Sequence, residues 1–393
     1  MPTAPHRTPP TATAVWPSLT AATPATRDTR LTGIDVVRGL VMVLMAIDHV
    51  RVYSGVPAGG PTLDVFFTRW VTHFCAPLFV FLAGTSAYLR AAAREATPGA
   101  QARYLVTRGL LLVALELTIV KAGWTFALDY GSTLGGVLWM LGWCMVLLAA
   151  MVRVSPVVIG VAGVAIMALQ SLLHLAANAT PTLAPAWSLL YLGGPVSLGD
   201  GGPTLFVLYT IVPWLGVMMA GYGFGVVMRR DPAARRRWCL RVGAFATALF
   251  LIVGTIAAMR ASAADSPFVM RLLDQNKYRD SQLFLLMTLG PSLVLLALVD
   301  SARGPVARWL QTFGRVPLFY YVLHIPLIHL LALGVWYLRD GTAHRDWFFL
   351  APFVEVPEGS RWSLWLLYLV FVLTVMLLYP ACRWWGARKV RAT

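Results

Sequence analysis

Long apolar runs alternate with short polar stretches along the chain. The runs lie near 34–53, 74–90, 105–123, 133–152 and 155–176, and again near 204–228, 238–259, 281–300, 316–338 and 362–382. Each approaches the roughly 20 residues that a helix rising about 1.5 Å per residue needs to cross about 30 Å of hydrocarbon. The pattern predicts an all-α, polytopic membrane helix bundle of about 10 transmembrane helices. Residues 1–29 are rich in Pro, Thr and Ala and hold no apolar core of signal-peptide length. They are expected to form a disordered cytoplasmic tail ahead of a transmembrane domain at 30–393.

Composition supports a lipid setting. Hydrophobic residues make up 58% of the chain and charged residues 12%, too few to cover the surface of a water-soluble domain of this size. The net charge of +15 raises the question of an acidic partner, and position answers it. If the runs are numbered in order, the tail, every second loop and the C-terminus carry 21 Lys and Arg, whereas the opposite loops carry 10. That asymmetry predicts both termini on the cytoplasmic side. The Arg-rich stretch 229–237 then reads as a topology signal touching anionic membrane lipid, not as a nucleic-acid site. Cys75, Cys144, Cys239 and Cys382 show no paired or metal-type spacing, so free thiols and no metal are expected.

Ionisable side chains within apolar runs are costly and therefore mark candidate chemistry. The first run concentrates them: Asp35 and Arg38 at one end, Asp48 and His49 at the other. The fourteen steps from Asp35 to His49 cover roughly 21 Å of helix. At about 100° per residue, Arg38 and His49 point within about 20° of each other, with Met42 and Met45 on the same stripe. Gly39 permits a partner helix or a ligand to approach the backbone. A purely structural account is also available, since Asp35 with Arg38 and Asp48 with Arg51 satisfy the i,i+3 spacing of ion pairs. Glu116 is a lone acid in the third run; protonation, or pairing with Lys121 or an arginine elsewhere, is preferred over orienting a histidine or a bound substrate. His324, just before Ile325-Pro326, either supports the site from behind the groups that line it or is a satisfied core histidine. His174 and His329 read as structural. Trp124, Trp139, Trp143 and Trp214 suit sugar stacking, but interfacial anchoring is the preferred reading.

The run Arg30 to Gly39, with Gly33, Asp35 and Arg38, followed by Leu44 to Arg51 with Asp48-His49, resembles the opening signature of bacterial proteins carrying the heparan-α-glucosaminide N-acetyltransferase catalytic domain. Thr72-His73-Phe74-Cys75-Ala76-Pro77 through Ser86 is similar to that family's second-span motif, and Gly314-Arg315 through Tyr320-Tyr321, His324 and Pro326 to its late-span motif. The likeness extends from about residue 30 to the C-terminus. The Asp35, Arg38 and His49 spacing also resembles the first span of membrane acyltransferases that O-acetylate surface polysaccharides, where a histidine at that place is the proposed general base. The lysosomal enzyme keeps its catalytic histidine in the loop after the first span. Here residues 50–72 contain none, and His49 and His73 bracket that loop.

The resemblance implies an enzyme of the bacterial cytoplasmic (inner) membrane that moves an acyl group from acetyl-CoA or another acyl-CoA to a glycan or amino-sugar acceptor on the opposite side. It implies His49 or His73 as base, with Asp48 fixing the tautomer. Arg30, Arg38 and Arg108 would neutralise donor phosphates, with Asp35, Glu116 and His324 in support. Monomer and homodimer stay open. So does a proton-coupled transporter or flippase, which favours ionisable groups near the midplane on broken helices, and so does a non-catalytic assembly or sensory protein.

Overall fold

Backbone that has no water to bond must satisfy itself, and a helix does so within one segment. The computed structural model describes residues 31–60, 62–260, 266–275 and 281–391. The predicted tail at 1–29 and Arg30 lie outside the described residues. Helices dominate: α1 (Thr32–Ser54), α2 (Leu63–Trp70), α3 (Cys75–Ala93), α4 (Pro98–Leu115), α5 (Lys121–Thr125), α6 (Val137–Met151), α7 (Pro156–Ala168), α8 (Gln170–Ala179) and the short α9 (Ala184–Trp187). The second half adds α10 (Ile211–Met228), α11 (Pro232–Arg260), α12 (Phe268–Leu273), α13 (Gln282–Val299), α14 (Pro305–Gly314), α15 (Pro317–Asp340) and α16 (Leu364–Arg391). Local chemistry sets several starts. Thr97 accepts from the Ala100 N–H ahead of Pro98, and Ser281 accepts from that of Phe284.

All ten predicted runs contain helix, but they are not ten uniform apolar rods. Among the described residues, six helical segments are long and apolar enough to cross a membrane: Leu63–Ala93, Ile211–Met228, Pro232–Arg260, Gln282–Val299, Pro317–Asp340 and Leu364–Lys389. A seventh follows if α7 and α8, bent by 60°, count as one. The others depart for physical reasons. The charged Asp35, Arg38, Asp48 and Arg51 make α1 too polar, α4 opens on a polar stretch, and α6 has only 15 residues. The runs at 133–152 and 204–228 begin as strands instead of helix. β1 (Ser132–Gly135) pairs in parallel with β3 (Thr204–Val207), and β2 (Gly194–Ser197) pairs with β3 antiparallel, giving the order β1-β3-β2.

Close packing follows glycine. A Cβ at Gly84 would overlap the Met218 carbonyl, joining α3 to α10; Gly163 does the same for α7 and α10, and Gly109 with Gly142 for α4 and α6. The largely buried α1 packs on α14, α15, α16 and α3. A Cβ at Gly39 would overlap the Leu310 carbonyl, and one at Gly314 the Asp35 carbonyl. The approach at Gly39 is therefore made by α14, a partner helix.

Candidate functional site

The site is built on α1, whose two polar ends differ in character. At one end the Arg38 guanidinium donates to Ser86 Oγ at 2.6 Å and to the Gly314 carbonyl at 3.2 Å, and lies 3.5 Å from Asp35 Oδ1. Arg315, with its side chain 45% exposed, approaches the same carboxylate at 3.9 Å. Arg38 thus ties α1, α3 and the end of α14 together. Arg108 is exposed on α4 and is not brought to the cleft described below.

At the other end Asp48 pairs with Arg51 at 3.0 Å, and Arg51 also donates to the Val56 carbonyl. This is the i,i+3 pair that spacing allows. A second histidine is hydrogen bonded to the His49 imidazole. His49 Nδ1 and His324 Nε2 are 2.7 Å apart, and the two rings stack with centroids 4.8 Å apart. His324, fully buried on α15, places its Nδ1 2.7 Å from the Tyr321 carbonyl and 3.1 Å from that of Tyr320.

Carbonyl oxygens only accept, so His324 Nδ1 carries a proton. In a neutral ring Nε2 is then the acceptor. His49 Nδ1–H must be the donor across the 2.7 Å contact, which puts the basic lone pair of His49 on Nε2. Two backbone carbonyls thereby set the tautomer of His49 through an intervening imidazole. The Trp124 ring, 5% exposed, meets His49 edge-on with centroids 4.9 Å apart. Trp124, Trp139 and Trp214 are all buried, which overturns the interfacial-anchor expectation for these three.

A narrow cleft of about 40 Å³ opens beside this pair. Its walls include Met42, Met45 and Phe79, with His49, Asp48, Tyr209 and Tyr321 as polar members. Along α1 the lining runs from Val41 to His49, about 12 Å of helix, and stops one turn short of Arg38. His73 does not line it. His73 sits in the 3-10 turn Val71–Phe74, its Nδ1 3.2 Å from the Arg69 carbonyl and its ring tilted against Phe284.

Glu116 opens a π-helical turn, Glu116–Val120, between α4 and α5. It does not pair with Lys121, which donates to the Asp129 carbonyl. Its Oε2 accepts from the Leu138 N–H at 2.8 Å, so the partner is the N-terminus of α6. His329 donates to the Gly123 carbonyl at 3.3 Å and stacks between Phe126 and Tyr53, with centroids 4.0 and 4.8 Å away. The four cysteines are buried free thiols, and Cys75 lies on the cleft wall. Tyr209 and Tyr321 are hydroxyl-bearing cleft residues to which sequence reasoning gave no role, although Tyr321 stands within the late-span motif as His324 does.

The family model for the heparan-alpha-glucosaminide N-acetyltransferase catalytic domain matches residues 30–271, more than half the chain. The match takes in Arg38, His49 and the second-span run Thr72–Ser86, and ends before the run Gly314–Pro326 that holds His324. A comparison with curated proteins finds no match.

Proposed function

The chain belongs to the heparan-alpha-glucosaminide N-acetyltransferase catalytic family, and from that membership we propose an acyl-CoA-dependent integral membrane N- or O-acyltransferase. The acyl group, acetyl in this reading, passes from cytoplasmic acyl-CoA to an amino sugar or glycan on the opposite side. The observation that carries the proposal is His49 in an apolar cleft with its Nδ1 hydrogen bonded to His324. His49 Nε2 takes the proton of the acceptor hydroxyl or amine as the acceptor attacks the thioester carbonyl, and returns it to the departing CoA thiolate. His324 accepts from His49 Nδ1–H throughout and stabilises the imidazolium that forms. The Met42 and Met45 side chains give the acyl end of the donor an adaptable apolar wall.

In the same proposal the domain at 30–393 crosses the bacterial inner membrane ten times with both termini inside. Arg38 and Arg108, with Arg30, face the donor phosphates, and Asp48 screens the outer mouth beside His49. An α1 unbroken through 23 residues, with its ionisable groups near the two ends, supports transfer chemistry over a carrier built on broken helices. The test is incubation of purified protein with labelled acetyl-CoA and a panel of amino sugars and glycans. Label should move to an acceptor with wild-type protein and fail to move with His49→Ala. Full transfer by His49→Ala would remove the role from His49.

A further inference from the structure

Acyl transfer develops two charges. The His49 pair handles the acceptor's proton, but the oxyanion that forms on the thioester carbonyl needs a donor of its own. We propose that the Tyr321 hydroxyl is that donor, an inference that rests on the acyl-transfer reading above.

Tyr321 is 3% exposed and lies on the wall of the cleft that holds His49. Its backbone carbonyl accepts from His324 Nδ1–H at 2.7 Å, and its ring meets the His324 ring edge-on with centroids 5.3 Å apart. The two residues stand three apart on α15, about 60° around the helix and about 4.5 Å along it. One rigid element therefore fixes both the phenol and the imidazole that orients the base.

Two other polar lining groups are committed differently. Thr72 Oγ1 donates to the Arg69 carbonyl at 2.7 Å, and Asp48 is engaged with Arg51. Among the described residues the Tyr321 hydroxyl donates to no protein group, and Tyr321 lines the cleft. The hydroxyl of its neighbour Tyr320 is sealed in the interior, away from the lining. A phenol held against an apolar wall, with little water to compete for its proton, interacts more strongly with developing charge than the same group in solution.

In the step, the acceptor oxygen or nitrogen bonds to the thioester carbon while the C=O π pair moves onto oxygen, where Tyr321 O–H hydrogen-bonds it. His49 Nε2 holds the acceptor's proton. The pair then returns to re-form C=O, the C–S bond breaks with its electrons on sulfur, and the thiolate takes the proton from His49.

The experiment compares Tyr321→Phe with wild type in three readouts: steady-state transfer from acetyl-CoA, binding of a methyl-ketone analogue with CH2 in place of the thioester sulfur, and thermal unfolding in detergent. A donor that acts in the transition state predicts kcat lower by about 100-fold, in the range seen for single oxyanion donors. Analogue binding should stay within about threefold, because the ground-state carbonyl carries little charge. The unfolding midpoint should not fall, since no protein partner loses a bond. Wild-type transfer with Tyr321→Phe within about threefold of it overturns the role of the hydroxyl alone. Loss of analogue binding or of the folded state in Tyr321→Phe also overturns it, in favour of a structural role. Absence of transfer by wild type overturns the acyl-transfer reading instead.

Discussion

His324→Phe is the sharpest probe of the proposed site. It keeps an aromatic ring in a fully buried position while deleting the acceptor 2.7 Å from His49 Nδ1. The bond between two neutral imidazoles contributes about 1 kcal/mol. Once His49 holds the acceptor's proton the same bond becomes charge-assisted and contributes about 1.5–3 kcal/mol, while the tautomer of His49 is no longer specified in the variant. Only the gain on charging, about 0.5–2 kcal/mol, separates the transition state from the ground state, so at about 1.36 kcal/mol per factor of ten the predicted fall in kcat is roughly 2- to 30-fold. His324→Gln, which can turn its amide oxygen towards His49 Nδ1–H, should lie between Phe and wild type. The assay is steady-state transfer of labelled acetyl to the best acceptor, with detergent unfolding midpoints as the fold control. If folded His324→Phe transfers within twofold of wild type, the reasoning from carbonyl to His324 to His49 is wrong.

Gly39→Ala drives a methyl group into the Leu310 carbonyl. It should lower stability by about 1–3 kcal/mol, the usual cost of overpacking, read as an earlier detergent unfolding transition. Glu116→Ala removes the acceptor for the first N–H groups of α6 and should cost about 1–2 kcal/mol; Glu116→Gln, which keeps an acceptor oxygen, should recover much of that in the same measurement. Because transfer requires His49 neutral at Nε2, log(kcat/KM) should fall in acid with a slope of one proton, and a flat profile would remove His49 as base. Arg108→Ala should raise KM for acyl-CoA severalfold with kcat held, an effect that added salt diminishes, if the exposed guanidinium meets donor phosphate.

Short-range chemistry was legible in the residues. Spacing predicts α1 within two residues of its bounds, aligns Arg38 with His49, and anticipates both i,i+3 pairs, Asp35 with Arg38 and Asp48 with Arg51. Hydropathy alone does not separate a short buried strand from helix, so the four-residue β1 and β3 vanish into the apolar runs they open. Nor does any proline or glycine announce the 60° bend at Leu169 between α7 and α8. The π turn at Glu116–Val120 is equally silent, since it reads as ordinary helix until Glu116 is seen to turn towards α6.

The pairing that matters most for function joins residues 275 apart, and no local rule reaches that far. It depends on the rotation of α15 against α1. Gly123 leaves room for Pro326, since a Cβ there would come within 3.2 Å of the proline ring. The Gly123 carbonyl accepts a hydrogen bond from His329, and the Trp124 carbonyl accepts one from the hydroxyl of Tyr53 on α1 at 2.6 Å. The turn around residues 123–124 thus bonds both helices and fixes which face of each meets the other. His324, two residues before Pro326 and five residues from His329, is carried onto His49 by that arrangement. A histidine next to a proline in an apolar run reads as either a core residue or part of a site. The deciding information lies in Gly123 and Trp124, a third stretch of chain whose own sequence gives no sign of imidazole chemistry.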